Sequence, residues 1–154
     1  MDLAGLIKSN GVKIPLEAYD KEEALAELLE LLVRRCCVKD RDGVLEALCA
    51  REAKGTTGIG GGVAIPHAKS LDVQGVEIAV GVSPDGIEFD AADGAPVYVV
   101  FLVVAEAHNP GPNVESLAHI GHLMQFPGII ERMRGAGGAD EIVRIVDQAW
   151  DEQT

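Results

Sequence analysis

The chain has 154 residues, of which 47% are hydrophobic and 25% are charged. This composition is typical of one globular domain over residues 1–154 and excludes a disordered chain or a pair of ordinary domains. Asp and Glu number 25 against 13 Lys and Arg, a formal charge of -12 at pH 7 that repels nucleic-acid phosphates, so we expect no nucleic-acid partner.

The sequence carries no signal for export or for membrane insertion. Its N-terminus lacks the positive region and long apolar stretch of a signal peptide, and the longest apolar run, Val97–Ala105, is about half of what a membrane helix needs. The three cysteines, two of them adjacent at Cys36 and Cys37, form neither a disulfide framework nor a CxxC motif. We therefore expect a cytoplasmic protein.

The N-terminal third predicts two helices. Asp20 and Glu23 form a typical helix start, and the leucines that follow at helical spacing predict a helix over Asp20–Cys37. After a polar turn the same spacing resumes and predicts a second helix over Val44–Glu52, which charge and then Gly55 bring to an end.

The next segment changes character. Five glycines in the eight positions of Gly55–Gly62 exclude a helix and predict a shaped loop. Val63–Ile65 then predicts a short strand, which Pro66 stops because the residue before a proline is pushed out of the helical region. His67 follows directly.

The middle of the chain predicts a sheet. We expect strands at Val76–Val82 and Ile87–Phe89 joined by an SPDG turn, and a central strand over Val97–Ala105. A loop rich in proline and glycine is predicted over His108–Pro112.

The C-terminal third predicts three more helices. The first is marked by apolar residues at helical spacing from Leu117 to Met124, and the others are expected at Gly128–Met133 and Ala139–Trp150. Helices at both ends of the chain and strands in the middle, joined by turns too short for parallel crossovers, predict a single layered α/β domain with a mixed central sheet flanked by helices.

Candidate functional residues concentrate between Arg51 and His67. This stretch also holds Thr56, Thr57 and the glycines of Gly58–Gly62, a combination suited to an anion. Backbone amides, a hydroxyl and a guanidinium can all donate to phosphate oxygens, and a histidine beside them can act as nucleophile or ligand. Each of these residues also has an ordinary structural interpretation, as a turn glycine, a solvated helix-end arginine or a structural histidine.

Two other kinds of site are not predicted. The glycine segment has Val63 where GxGxxG requires its last glycine, and no Gly-Lys-Ser/Thr follows, so nucleotide binding is unsupported. Glu115, His119 and His122 lie at helical spacing, but we expect them to face solvent opposite the apolar stripe and predict no metal site.

The stretch REAKGTTGIGGGVAIPHAK resembles the signature of the type-2 IIA domain of the bacterial phosphoenolpyruvate sugar phosphotransferase system, in its fructose, mannitol and nitrogen-regulatory branch. The similarity extends through FLVVA to the helix NVESLAHIGHLM. It implies the mannitol/fructose-type IIA fold and no metal or organic cofactor.

The resemblance also implies roles for particular residues. His67 would accept a phosphoryl group from HPr or its nitrogen-branch counterpart, and Arg51 would lie beside it and balance the phosphoryl charge. The group would pass to a IIB cysteine, or its presence would control a regulatory target protein. The unmodified ring nitrogen needs an orienting partner, for which a backbone carbonyl of the glycine loop is our candidate. Thr57 is our candidate for a hydroxyl near the phosphoryl oxygens, with the alternative that it only caps the loop.

The sequence departs from the family at one position. The family's second histidine usually opens an H-L-x-x-L-A helix, and this chain has N-V-E-S-L-A there, so Asn113 takes that place. An amide donates a hydrogen bond but carries neither a proton nor a charge, so acceptance could survive while onward transfer weakens. Alternatively, the preceding loop brings His108 into that space.

Three functional hypotheses follow from the resemblance. The first is a stand-alone regulatory IIA protein of the nitrogen type, which Asn113 and the absence of an attached IIB domain in the sequence favour. The second is the IIA component of a fructose- or mannitol-type import chain. The third is a protein-binding module that works without phosphorylation.

Overall fold

A computed structural model describes residues 1–35 and 37–153. Within these residues, six α-helices and six strands follow one another, with a 3-10 turn at Ser9–Gly11. In order they are α1 (Leu3–Ile7), β1 (Val12–Lys13), α2 (Lys21–Arg34), α3 (Arg41–Ala53), β2 (Gly58–Gly60), β3 (Val63–Ala64), β4 (His67–Ser70), β5 (Val76–Ile87), β6 (Val97–Glu106), α4 (Pro110–Leu123), α5 (Ile129–Arg134) and α6 (Ala139–Gln153). Among the described residues, none of these helices is both long and apolar enough to cross a bilayer.

The strands form one mixed sheet in the order β1-β5-β6-β3-β2, and β4 also pairs with β6. The central pair, β5 and β6, is antiparallel, whereas β1 runs parallel to β5, and β3 and β4 both run parallel to β6. The predicted mixed sheet is therefore confirmed.

Helices cover both faces of this sheet. Along β6 the side chains alternate, so that Val99, Phe101 and Val103 belong to one apolar cluster and the intervening residues belong to the other. The first cluster contains buried residues of α1, α4, α5 and α6, and the second those of α2 and α3. The predicted layered α/β domain is confirmed, and residues on opposite faces of a strand lie under different helices.

The first predicted helix is shorter than expected. Asp20 caps α2, since its carboxylate accepts from the amide of Glu23 at 2.9 Å, but the helix ends at Arg34. Cys37 therefore lies beyond the helix, in correction of the prediction, and Cys36 lies outside the described residues. The next residue after the helix, Arg35, turns its side chain toward α1 and β5 instead of continuing the helix.

Two other helices begin earlier than predicted. The side chain of Asp40 accepts from the amide of Gly43 at 3.1 Å and starts α3 at Arg41, within the expected turn. Likewise α4 begins at Pro110, because proline fits the first helical turn, so only the start of the predicted Pro-rich loop is non-helical.

The predicted SPDG turn is wrong. Residues 76–87 form one continuous strand, β5, and the SPDG segment is an irregularity in its pairing between Val82, opposite Val99, and Ile87, opposite Val97. Gly86 supplies the positive φ of 86° that the irregularity needs. The sequence also failed to predict α1, β1 and β4, which are all short.

Arg35, which directly follows α2, joins α1 to β5. Its guanidinium donates to the carbonyls of Leu6 and Ile7 at 3.2 Å and of Ile78 at 3.5 Å, and lies 3.4 Å from the carboxylate of Glu77. The Arg35 side chain is only 11% exposed, so water has little access to these carbonyls and cannot readily replace the guanidinium as their donor.

Arg35→Ala should therefore lower the free energy of unfolding by about 2–4 kcal/mol, since it leaves carbonyls and a carboxylate without their donor. The neighbouring Arg34 is a matched control, because its side chain is 74% exposed and its ion pair with Glu30 is long, at 3.9 Å. Arg34→Ala should change the unfolding energy by about 0.5 kcal/mol or less in the same urea titration. Equal losses of unfolding free energy in the two variants would contradict the stabilising role of the Arg35 hydrogen bonds.

Candidate functional site

The glycine segment folds as a β-hairpin, not as the predicted loop. Strands β2 and β3 pair antiparallel, with Gly58 opposite Ala64. Gly61 and Gly62 make the turn with φ of 67° and 87°, which side-chain-bearing residues rarely adopt. A Cβ at Gly62 would also lie 3.0 Å from the ring of Tyr98. The glycines are thus needed for a tight turn and a close approach.

His67 begins the strand that follows this hairpin. It is paired in register with Val103, and the carbonyl of Pro66 accepts from the amide of Val103 at 2.9 Å. Side chains in register on neighbouring strands point to the same face, and Val103 belongs to the cluster beneath α4. The half-buried imidazole of His67 therefore lies on the α4 face of the sheet.

The imidazole is oriented by a backbone carbonyl. Nδ1 of His67 lies 2.9 Å from the carbonyl oxygen of Ile65. A carbonyl only accepts, so Nδ1 carries the proton, and in the neutral ring the lone pair is on Nε2. Our candidate partner was a carbonyl of the glycine loop; Ile65 instead follows the hairpin, two residues before the histidine.

Arg51 lies in the last turn of α3, the helix that packs on β4. Its Nη1 donates to the carbonyl of Gly55 at 2.8 Å, which holds the guanidinium at the start of the glycine segment. Arg51 and His67 thus belong to elements in direct contact, and a contact of Arg51 with a phosphoryl group stays a prediction.

Thr57 is bound to a buried carboxylate that the sequence analysis did not single out. Its hydroxyl donates to Oε2 of Glu52 at 2.7 Å and its amide donates to Oε1 at 2.9 Å, with both residues buried. The only hydroxyl proton is thereby in use, which favours the alternative that Thr57 fixes the loop. The neighbouring Thr56 is also engaged, since its hydroxyl donates to the carbonyl of Phe89.

Asn113 lies near the start of α4 and is 8% exposed, with no hydrogen-bond partner for Oδ1 among the described residues. Pro112 and Glu115, on one flank of α4, border a cavity with the beginning of β5. Helix α4 covers the face of the sheet on which the His67 ring lies. Asn113 and His67 therefore lie on the same face of the sheet, and no hydrogen bond joins them in the described part of the chain.

The structure agrees only in part with the positions expected for the remaining histidines. His108 is exposed in the turn before α4, which favours Asn113 over His108 at the helix start. The solvent-facing prediction is wrong for His119, whose ring is stacked on Trp150 at 4.6 Å and whose Nδ1 is buried, whereas His122 is exposed. In residues 1–35 and 37–153, no group of three His, Cys, Asp or Glu side chains is placed to hold a metal ion.

Asp93 is a second carboxylate that sequence reasoning missed. It accepts from the amide of Gly61 at 3.0 Å and from that of Ala95 at 3.1 Å, and these two amides lower the pKa of its carboxyl group. The turn amide that we expected to face a phosphate is therefore occupied by the protein's own anion. The Asp-Gly turn signal at residues 93–94 could have indicated a turn here, but not its partner.

Since folding lowers the pKa of Asp93, its contribution to stability is present above the unfolded pKa of about 3.9 and is lost as pH falls through the lower folded value. Asp93→Asn should thus reduce the free energy of unfolding at pH 7, and its difference from the wild type should shrink below about pH 4.

Urea titrations at pH 7 and pH 3 check this, with Asp85→Asn as a control, because Asp85 is exposed and makes no hydrogen bond among the described residues. A difference between Asp93→Asn and the wild type that does not change with pH would contradict the role of the Asp93 charge.

Comparison with known proteins agrees on one family. Residues 5–149 match the model of the family described as "Phosphoenolpyruvate-dependent sugar phosphotransferase system, EIIA 2". The chain is 35% identical over 113 residues to the fructose-specific EIIA component of Haloferax volcanii, covering 73% of each chain. It is 32% identical over 126 residues to a nitrogen regulatory protein of Pseudomonas aeruginosa, covering 82% of each. Against the fructose-specific EIIABC component of Bacillus subtilis, 32% identical over 148 residues, it spans only 23% of the relative.

Several solved structures have the same fold as this chain. The nitrogen regulatory protein IIA-Ntr of Neisseria meningitidis superposes with a TM-score of 0.84 at 28% identity, covering 94% of this chain and 98% of that one. The mannitol IIA domain of Escherichia coli, solved in complex with phosphorylated IIB, gives a TM-score of 0.77 at 18% identity over 92% and 96% of the chains. The predicted mannitol/fructose-type IIA fold is confirmed.

Proposed function

Because this chain belongs to the EIIA 2 family of the phosphoenolpyruvate-dependent sugar phosphotransferase system, we propose that it is a cytoplasmic phosphoryl carrier of the nitrogen-regulatory type, which accepts a phosphoryl group on Nε2 of His67 from an HPr-type donor. The family match over residues 5–149 confirms the resemblance found in the sequence. The observation that supports the acceptor atom is the 2.9 Å contact of Nδ1 with the Ile65 carbonyl, which leaves the lone pair on Nε2.

The proposed transfer is a displacement at phosphorus. The Nε2 lone pair of His67 forms a bond to phosphorus while the bond between phosphorus and the donor nitrogen breaks, and the electron pair of that bond stays with the donor. Positive charge then develops on the imidazole of His67, and the Ile65 carbonyl, already bound to Nδ1-H, stabilises it. These steps call on no metal or organic cofactor.

Arg51 is the proposed counter-charge for the phosphoryl group. The formal charge of -12 makes the chain as a whole repel a phosphoryl dianion, so the site needs a local cation. The guanidinium has five N-H donors, and its bond to Gly55 leaves others to reach phosphoryl oxygens.

Asn113 supports the regulatory role over the import role. Its amide group can donate a hydrogen bond to a phosphoryl oxygen from the α4 face, yet it can neither deliver a proton nor add a charge. We propose that the phosphoryl group is accepted readily and passed on slowly, so that phosphorylation chiefly changes the surface offered to a regulatory target protein. The alternative is fast transfer to a IIB cysteine, which the similarity to fructose-specific proteins favours.

Incubation with phosphoenolpyruvate, the first-stage kinase and either HPr or its nitrogen-branch counterpart should add one acid-labile phosphate, located on His67 by peptide mapping. His67→Ala should abolish labelling. Arg51→Ala should slow it by about 100-fold, the typical cost of one lost donor to developing charge, while far-UV circular dichroism stays unchanged.

Normal labelling of the His67→Ala variant would refute the proposal. Addition of a fructose-type IIB protein separates the two roles, because slow discharge supports the regulatory protein and rapid discharge supports the import component. If neither donor labels the wild type, the chain is a binding module that works without phosphorylation.

A further inference from the structure

Glu52 is a buried carboxylate with an unusual set of partners. It is 6% exposed in the last turn of α3, and both of its oxygens accept from one residue, Thr57, which is 4% exposed. The hydroxyl contact of 2.7 Å and the amide contact of 2.9 Å have the short lengths of charge-assisted hydrogen bonds. A carboxylate so buried fixes the backbone of Thr57 relative to the helix.

Hydrogen bonds continue from this pair to His67. The carbonyl of Thr57 accepts from the amide of Ile65 at 3.0 Å, at the open end of the glycine hairpin. The carbonyl of the same Ile65 then binds Nδ1 of His67 at 2.9 Å. Thr57 therefore fixes the N-H group of Ile65, and the carbonyl that binds the imidazole belongs to the next peptide unit, on the other side of the Ile65 Cα.

We infer that Glu52 is a positioning residue for His67: by holding Thr57, it holds the Ile65 backbone, and through the Ile65 Cα the carbonyl that binds Nδ1, and so selects the Nδ1-H tautomer and the orientation of the ring. Its effect on phosphorylation rests on the proposed function, whereas its effect on the tautomer does not.

Glutamate suits this role better than a neutral residue. The carboxylate offers acceptors to both donors of Thr57, whereas a glutamine offers one acceptor and one N-H group and forces the hydroxyl to turn. An alanine leaves a buried amide and hydroxyl without their acceptor, and the loop is then released from the helix. We therefore expect graded effects, with Glu52→Ala more disruptive than Glu52→Gln.

The molecule provides a matched control in Glu27. This carboxylate of α2 also accepts from neighbouring backbone amides, those of Glu17 at 3.0 and 3.1 Å and of Ala18 at 2.9 Å. It holds a different segment, residues 17–18, and the hydrogen bonds that it makes do not continue to His67. Glu27→Ala thus reports the general cost of losing such a contact.

The first readout is the tautomer of unphosphorylated His67, from two-bond ¹H-¹⁵N correlations of its ring. The wild type and Glu27→Ala should show the Nδ1-H form. Glu52→Gln should show a mixture with the Nε2-H form, and Glu52→Ala should show a larger share of it. If both Glu52 variants retain the wild-type ring pattern, the inference is wrong and Glu52 only stabilises the hairpin. Should Glu52→Ala fail to fold, Glu52→Gln alone decides the question.

The second readout is the rate of phosphorylation by the donor that labels the wild type. The rate constant should fall about 10-fold in Glu52→Gln, and further in Glu52→Ala, with little change in the KM for the donor, because the binding surface is intact. Unchanged rates in both variants would refute the link to transfer. If the wild type is not labelled but Glu52→Ala changes the tautomer, the proposed function fails and the positioning of His67 stands.

Discussion

Strand β6 is the element on which the rest of the structure depends, because both of its edges are paired and three other strands take their positions from it. One edge binds β5, and the other binds first β3 and then β4, all through backbone hydrogen bonds. The chain crosses from β3 to β4 within two residues, Ile65 and Pro66. The carbonyl of each is already bound, to Nδ1 of His67 and to the amide of Val103. The backbone position of the histidine is therefore fixed by the sheet, and the inferred effect of Glu52 concerns the orientation and tautomer of its ring.

Fewer hydrogen-bond donors of the segment from Arg51 to His67 are free to bind a phosphoryl group than its amino-acid sequence predicts. The protein's own carboxylates occupy two of the expected ones, since Asp93 binds the turn amide of Gly61 and Glu52 binds Thr57. The donors that we propose for a phosphoryl group on His67 are the guanidinium of Arg51 and the amide of Asn113. In this proposal one full positive charge balances the phosphoryl group, and Asn113, unlike a histidine, adds no titratable group that helps to expel it.

Much of the fold could be predicted from local patterns. The long apolar run of β6 and the periodic leucines of α2 are strong signals, and both elements lie where they were expected. The sequence-based prediction was weakest for short secondary-structure elements and for helix starts. A single carboxylate, Asp40, moved a helix start by three residues, and the SPDG segment remained within a strand because pairing with β6 continues past it. Tertiary pairing decided the second case, which no local pattern encodes, whereas the Asp40 cap is a local contact with Gly43 that an aspartate before a helix can indicate.

The residue that we propose as the acceptor could be selected from the sequence, because a specific motif surrounds His67. Its supporting groups could not, since they depend on distant contacts. Glu52 stands beside Arg51 in the sequence and looks like any helix-end acid until the structure shows it buried against Thr57. Asp93 lies 32 positions from the amide that it binds.

The central claim is that Nε2 of His67 is the acceptor atom. The most direct test is a ring ¹⁵N spectrum of the phosphorylated protein, which shows which nitrogen is coupled to phosphorus. We expect phosphorus on Nε2, with Nδ1 still protonated and bound to the Ile65 carbonyl. Phosphorus on Nδ1 would contradict it, because that product requires the contact with Ile65 to break before transfer.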